Sequence, residues 1–170
     1  MRTSDVKNIL SDELESLKLR IIANHEKAGQ KASGRTEASL RVEVTEDEGI
    51  IFGRNAFGTL ETGRKGGNVP SNFSDIIKKW ARDKGINISP IPYKTDRAHK
   101  YSEQERGENR FAFFVARKIK REGTALYRNG GRSDIYSDEI RKTIKTIGDR
   151  LMSSIKMEID SIKLNTKEEI

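Results

Sequence analysis

The side chains best able to perform acid–base or metal chemistry are scattered along this chain. It has 170 residues with no cysteine and only two histidines, His25 and His99, which excludes thiol catalysis and Cys/His zinc sites. Each histidine stands alone, so we predict both to be surface residues. Glu46-Asp47-Glu48 is an acidic run, and three carboxylates on a tight turn indicate a solvated loop rather than a metal site.

Isolated carboxylates leave a small metal-dependent nuclease as one alternative. Its candidate ligands are Asp83, Asp96, Glu103 and Glu105. They would have to converge on magnesium from distant positions, and their spacing gives no reason to prefer this alternative. No Gly-x-Ser-x-Gly, His-Glu-x-x-His, Walker or Rossmann motif occurs. We therefore predict a protein that is not an enzyme, with no catalytic residue, no metal and no cofactor.

Basic residues are concentrated in the middle of the chain. The formal net charge is +7. Residues 1–50 hold 8 basic and 10 acidic residues (−2), residues 51–132 hold 18 and 8 (+10), and residues 133–170 hold 7 and 8 (−1). A basic segment can contact a polyanion such as DNA, because neutralising phosphates releases counterions. It can equally be a solvated surface that keeps the protein soluble.

Length and composition favour one domain with a modest core. Hydrophobic residues make up 34% of the chain and charged residues 35%, which suits an elongated or assembled protein better than a compact enzyme. Burial would then be completed by neighbouring subunits. The chain shows no signal-length apolar run and no stretch near the roughly 20 apolar residues of a membrane span, so we predict a protein without secretion or a membrane partner.

The elements that would position these residues begin with a helix and a hairpin. Apolar residues recur at steps of three and four over residues 5–27, which predicts an amphipathic helix ended by Gly29. In residues 39–44 apolar and polar side chains alternate, as in a half-buried strand. A second strand follows at residues 50–54, with the acidic run in the connection.

Three later segments have helical periodicity. Residues 70–85 are predicted to form a helix whose core face is Phe73, Ile76, Ile77 and Trp80; a core tryptophan is favoured over a nucleic-acid stacking platform. Residues 87–107 are predicted to be a loop. A helix at 109–122 has a basic polar face opposite the apolar residues Phe111, Phe114, Val115 and Ile119. From residue 137 a long helix carries a narrow apolar stripe, predicted to pack along the first helix or a neighbouring subunit.

The order of residues 33–64 is more informative than any single motif. Ser33-Gly34-Arg35 precedes the hairpin, and the aromatic turn 56–64 ends in Glu61-Thr62-Gly63-Arg64. This order resembles the tail-completion, or head–tail joining, proteins of tailed bacteriophages. In that family a Ser/Thr-Gly-Arg start, a hairpin and a turn holding Glu-x-Gly follow one another. The resemblance resumes at residues 111–124, which look like the family's helix ending in Gly-Thr, and covers under half of the chain in total.

The resemblance implies an α+β fold, in which a small antiparallel sheet packs against an N-terminal helix and further helices. It implies a single domain with its core at residues 5–64 and 109–136. The chain departs from a minimal member of the family in residues 68–108, predicted to be a helical insertion with a loop, and in residues 137–164, predicted to be a long C-terminal helical extension. The family's Pro-Phe-rich segment near the C-terminus is replaced here by Ile135-Tyr136-Ser137.

For function, the resemblance implies a structural virion protein, made in the host bacterial cytoplasm. Copies would form a ring in the neck or tail that joins capsid-side rings to the tail around the DNA channel. Its partners would be identical subunits, portal or adaptor proteins, tail proteins and, non-specifically, packaged DNA. The residues carried over to the subunit contact are Phe57, Glu61, Gly63 and Arg64.

The basic segment supplies the candidates for facing the DNA channel or a partner ring. These residues are Lys65, Arg117, Lys120, Arg121, Arg128 and Arg132. The principal alternative function is a stand-alone basic nucleic-acid-binding module, which would bind DNA with an affinity that falls steeply as salt rises.

Overall fold

The computed structural model describes residues 3–94 and 99–165. Its elements, in chain order, are α1 (Thr3–Lys27), α2 (Arg35–Ala38), β1 (Arg41–Val44), β2 (Gly49–Phe52), a 3-10 turn (Asn55–Gly58), α3 (Thr59–Thr62), α4 (Phe73–Asp83), α5 (Glu103–Glu122), α6 (Ala125–Arg128) and α7 (Ser137–Asn165). The predicted α+β class is confirmed, with one antiparallel hairpin, an N-terminal helix and a long C-terminal helix. None of the helices within the described residues is long and apolar enough to cross a membrane.

The described residues fall into two compact units. The first contains residues 3–30, 36–57 and 133–165, and the second contains 31–35 and 58–132 apart from 95–98. The boundaries of these units differ from those of the predicted core and insertion. Residues 109–132, for example, belong to the second unit together with the predicted insertion.

In the first unit, α1 packs against both strands and against α7. Its apolar stripe supplies most of the core there, in the buried residues Ile9, Leu14, Leu17 and Ile21. Arg20 and Arg150 define how α7 lies on α1, because Arg20 Nε donates to Glu139 at 3.0 Å and Arg150 Nη1 donates to Glu13 at 2.8 Å. The later residue of α1 pairs with the earlier residue of α7, and the earlier residue of α1 with the later residue of α7. The two helices are therefore antiparallel.

The predicted hairpin is present, with ends shifted by one or two residues. Val42 pairs with Ile51 and Val44 with Gly49, and the Thr45 amide donates to the Glu48 carbonyl at 2.8 Å to close the turn. Side chains of β1 alternate between exposed and half-buried, as the sequence pattern predicts, and the three acidic residues of the turn are exposed.

In the second unit, α4 and α5 pack on each other around a small cluster. Ile77 of α4 and Ala112 and Ala116 of α5 are buried there, and larger apolar side chains flank them. Helix α5 begins at Glu103, so the prediction of a loop through residue 107 is wrong over its last five residues. A capping box starts the helix early: the Glu105 amide donates to Ser102 Oγ at 3.1 Å, and the Ser102 amide donates to Glu105 Oε2 at 2.8 Å.

Three side chains predicted to face this core are exposed instead: Ile76 (44%), Trp80 (39%) and Phe114 (53%). The assignment of Trp80 to the core is therefore wrong. These side chains are exposed because the two helices meet on other faces. Helix α4 contacts α5 through the face of Ile77 and Ala81, and α5 contacts α4 through the face of its alanines. Small residues permit close approach of two helices, which leaves the larger residues one position away outside the contact.

Helix α7 carries the predicted apolar stripe, and only part of it is covered. Its first half packs against α1, so the predicted partner helix is correct for that half. Further along, Ile159 is 48% exposed and Ile162 61% exposed, and near the start Ile144 is 65% exposed.

Candidate subunit interface and basic surface

Phe57 is the first of the four predicted interface residues and belongs to the first unit. The 3-10 turn that holds it follows β2 directly, and the Phe57 amide donates to the Arg54 carbonyl at 2.8 Å. Its ring lies 5.0 Å from the ring of Tyr136, tilted by 33°. The side chain is half-buried, so one side of the ring packs inside the unit and the other faces solvent.

Glu61 and Gly63 belong to the second unit and are held tightly there. The Glu61 side chain is only 3% exposed, and the Glu61 carbonyl accepts a hydrogen bond from the Arg132 amide at 2.9 Å. Gly63 ends α3 with φ +69° and ψ −173°, a conformation that is essentially restricted to glycine. A Cβ at this position would lie 2.5 Å from the Tyr127 nitrogen. The Glu-x-Gly turn is thus packed against α6 within a single chain.

Arg64 connects this turn to the end of α5. Its amide donates to Thr124 Oγ1 at 2.9 Å, and the Thr124 amide donates back to the Arg64 carbonyl at 2.9 Å. The guanidinium lies 5.6 Å from the ring centroid of Phe73, and Nη2 donates to the Asn68 carbonyl at 2.5 Å. Arg64 is half-buried, and its Nε makes no hydrogen bond to the described residues.

Two of the predicted basic residues, Lys65 and Lys120, are brought close together by backbone contacts. The Gly67 amide donates to the Lys120 carbonyl at 2.8 Å, and a Cβ at Gly66 would lie 2.9 Å from the Arg121 carbonyl. The loop carrying Lys65 therefore lies against the C-terminal turn of α5. This arrangement places basic side chains beside the carbonyl end of the helix dipole, where cations are stabilised.

Two other predicted basic residues, Arg121 and Arg128, have side-chain partners within the chain, and Arg132 is held there through its backbone amide. Arg121 pairs with Glu122 and thereby lowers the pKa of that carboxylate. Arg128 donates to the Gly123 carbonyl at 2.8 Å and lies 3.6 Å from Glu122. Arg132 is half-buried in the same unit as Glu61, to whose carbonyl its amide donates. These arginines have structural roles at the end of α5 and in the turn after α6.

The outward face of α5 carries a pair of phenylalanines that the sequence analysis missed. Phe113 is 55% exposed and Phe114 53% exposed, and their rings meet edge to face at 5.6 Å and 73°. Arg110 and Arg117 lie on the same side of the helix, one turn before and one turn after. The sequence did contain an indication of this exposed face. Ala112 and Ala116 are small residues four apart, a spacing that puts both on one side of the helix, where a second helix can pack, and that leaves Phe113 and Phe114 outside the contact.

An open apolar groove lies in the first unit between α1, the hairpin and α7. Its volume is about 360 Å³. Its lining includes leucines of α1, Leu40, Ile51 of β2, Phe57 and isoleucines of α7. Gly49 lines its rim immediately after the acidic turn, at a position where a Cβ would lie 2.4 Å from the Leu14 side chain.

The two histidines differ in environment, and one of the two predictions about them is wrong. His25 is buried, 4% exposed, with Nδ1 3.0 Å from Glu37 Oε1. No pattern in the sequence indicated this, because the carboxylate comes from the short helix α2, which was not predicted. His99 is exposed, as predicted, and stacks on Tyr93 with ring centroids 3.4 Å apart.

The described carboxylates that were candidate ligands for a metal-dependent nuclease each have a different partner within the chain. Asp83 lies 3.5 Å from Lys79, Glu103 accepts from the Tyr93 amide at 3.1 Å, and Glu105 belongs to the capping box. Asp96 lies outside the described residues. Over the part of the chain that the structure describes, no group of three or more His, Cys, Asp or Glu side chains could hold a metal ion.

Comparison of the chain with protein-family models, with curated proteins and with solved structures gives no match.

Proposed function

We propose that this chain is a structural virion protein that assembles as a ring in the neck or tail of a tailed bacteriophage. The observation that carries the proposal is the order of elements in residues 33–64. A hairpin follows the Ser-Gly-Arg segment, and a short helical turn follows the hairpin and ends at a glycine with φ +69°. This is the order on which the resemblance to tail-completion proteins rests.

The hairpin supports the proposal because the outer edges of its two strands are unpaired within the described residues. Within the described residues the sheet has two strands, so the outer edge of each has no strand neighbour. A two-stranded sheet is marginal without packing on its face, and exposed edges favour contact with a further copy. Head-to-tail contacts of this kind close into rings when the rotation per subunit permits.

The four predicted contact residues would have two different roles in such a ring. Phe57 and Arg64 are half-buried and keep surface for direct contact with a neighbour. Glu61 and Gly63 are packed inside one chain, so in this proposal they set the shape of the turn that presents Arg64. The ring would join portal or adaptor proteins to tail proteins.

The basic residues at the end of α5 would face the DNA channel or an acidic rim of a partner ring. Lys65 and Lys120 lie on adjoining backbone segments there. The contact with packaged DNA would be non-specific, since it would rest on phosphate charge alone.

The test is the location of the protein in the particle and the effect of removing it. Immunogold labelling of purified virions is expected to mark the junction of head and tail, or the tail end. Deletion of the gene is expected to give filled heads that lose DNA or lack tails. Particles that are complete and infectious without the protein would refute the proposal.

A stand-alone basic nucleic-acid-binding module is the alternative, and the basic face of α5 favours it. The two functions differ in what the purified protein does. A binding module remains a monomer or dimer and binds DNA with an affinity that falls steeply with salt. A ring protein assembles without DNA.

A further inference from the structure

We propose that the outward face of α5 in one copy of this chain docks into the apolar groove of the first unit in a second copy. The inference rests on the proposed ring function and adds two surfaces to its subunit contact, one of which includes Phe57. One surface is the α5 knob, defined as Phe113, Phe114, Arg110 and Arg117. The other is the α1 groove, lined by α1, the hairpin and α7.

The α5 knob has the composition of a protein-binding anchor. Its two phenylalanines are more than half exposed, so each still has about half of the roughly 150–250 Å² that an aromatic side chain can bury available for docking. Aromatic and arginine side chains at the centre of an interface supply most of its binding energy. Arg110 lies 5.8 Å over the ring of Phe114, so the cation and the apolar surface are presented together.

The same geometry disfavours nucleic acid as the occupant of the knob. Bases stack on open, parallel aromatic faces, whereas these two rings meet at 73° and a guanidinium covers one of them. Duplex DNA would engage the arginines and leave both phenylalanines in water. A partner with an apolar recess and carboxylates at its edge would bury the phenylalanines in the recess and pair its carboxylates with the arginines.

The α1 groove has these two properties and belongs to the same chain. It is lined mainly by leucine and isoleucine side chains, and its volume of about 360 Å³ is large enough to receive an aromatic ring. The turn residues Glu46, Asp47 and Glu48 immediately precede the groove-lining Gly49. They are exposed and form no ion pair with described residues, and the same holds for Arg117 on the knob.

A contact between two different surfaces is heterologous, and repetition of it adds subunits in one direction until the ring closes. Two phenylalanines supply only part of the 1,200–2,000 Å² that a stable interface usually buries. Each single contact is therefore expected to be weak, and assembly is expected to depend strongly on concentration.

The test is sedimentation velocity of the full chain, with variants that inactivate one surface each. Phe113→Ser/Phe114→Ser inactivates the knob, and Ile144→Asp, at a groove residue that is 65% exposed, inactivates the groove. Leu19→Ser is the matched control, because Leu19 is 63% exposed and lies outside the groove. Circular dichroism checks that each variant keeps its helical content.

The wild type and the Leu19 variant are expected to assemble alike, and each inactivating variant is expected to need at least a tenfold higher concentration. A mixture of the two inactivated variants is the sharper measurement. One partner keeps its groove and the other its knob, so the mixture is expected to form pairs and nothing larger. Assembly of either inactivated variant like the wild type, or a wild type that stays monomeric, would overturn the inference.

The inference and the proposed function can fail separately. If the protein forms the ring in virions and the knob variant still builds that ring, the docking inference alone is wrong. If the two surfaces drive assembly but the protein is absent from virions, the proposed function alone is wrong. If the knob variant loses DNA binding and assembles normally, the knob is a nucleic-acid surface and the docking inference is refuted.

Discussion

His25 Nδ1 lies 3.0 Å from Glu37 Oε1, and both side chains are at least nine-tenths buried. The pair joins the last turn of α1 to the short helix α2. The second carboxylate oxygen of Glu37 is also buried and makes no hydrogen bond to the described residues. The histidine is therefore the side-chain partner that the structure shows for this carboxylate.

Replacement of His25 by alanine is expected to lower the free energy of unfolding by about 2–4 kcal/mol, because it leaves Glu37 buried without a partner and opens a cavity. Urea denaturation measures the change. His99→Ala is the control: this histidine is exposed, and a change within about 0.5 kcal/mol is expected. Equal losses in the two variants would contradict the assigned role of His25.

Gly63→Ala is expected to destabilise the protein more than Gly85→Ala. Both glycines have positive φ, so each substitution carries backbone strain, and the strain is larger at Gly63 because its ψ of −173° is essentially restricted to glycine. Only at Gly63 would the new Cβ also meet other atoms, 2.5 Å from the Tyr127 nitrogen and 2.6 Å from Thr124 Oγ1, whereas nothing lies within 4 Å at Gly85. The extra loss is expected to be about 1–3 kcal/mol in thermal unfolding. Equal losses would mean that the turn does not pack on α6.

Glu139→Gln is expected to remove part of the pH dependence of stability. Hydrogen bonds from Lys142 at 2.6 Å and Arg20 at 3.0 Å lower the pKa of Glu139 in the folded protein below its ordinary value near 4.5. A lowered folded pKa contributes stability above pH 4.5 that is lost as the pH falls through the folded value.

The difference in unfolding free energy between wild type and variant should therefore be larger at pH 7 than at an acidic pH below the folded pKa of Glu139. Glu15→Gln is the control, since that carboxylate forms an exposed helical pair with Lys18. A gap between wild type and Glu139→Gln that is the same at both pH values would contradict the assigned contribution.

Ser102→Ala is expected to cost about 1 kcal/mol, since it removes the N-cap of α5. The Glu105 carboxylate, whose pKa is lowered by its hydrogen bonds with Ser102, would lose one of them. Amide exchange is expected to quicken in the first turn of α5 and not at its end. Ser102→Thr keeps a capping hydroxyl and should restore most of the loss; if it does not, the capping box is not what starts the helix.

Charge reversal at Arg117, Lys120 and Arg121 is expected to weaken ring assembly or DNA retention. These residues lie on one exposed stretch of α5, and like charges opposite DNA or an acidic ring would repel. Particle yield and the fraction of heads that keep DNA are the measurements. Lys156→Glu on α7 is the control. Reversed-charge particles that assemble and hold DNA normally would rule out this role for α5.

The hairpin was predictable from sequence because alternation in Leu40, Val42 and Val44 is a local pattern that follows from strand geometry. The start of α5 was missed because its first turn is charged and lacks apolar periodicity, although Ser102 and Glu105 have the spacing of a capping box. The local spacing of residues therefore predicted that the hairpin and α5 exist, but it did not predict the residues at which they begin and end.

The positions of Trp80, Phe114 and His25 needed tertiary information. Helix α4 has apolar residues on more than one side, so only its packing on α5 decides that Ile77 is buried and Trp80 is not. His25 is buried by a partner 12 residues away in a helix of four residues, which is too short to show periodicity. For the candidate site, the sequence indicated Glu61 and Gly63 but not Tyr127 and Arg132, which contact them.

Native mass spectrometry of the purified chain over a range of concentrations shows whether copies of the protein close into a ring. A closed ring gives one dominant species at a fixed multiple of the monomer mass, which replaces the monomer as concentration rises, without DNA. This result is the expected one. A protein that remains monomeric at every concentration would contradict the account.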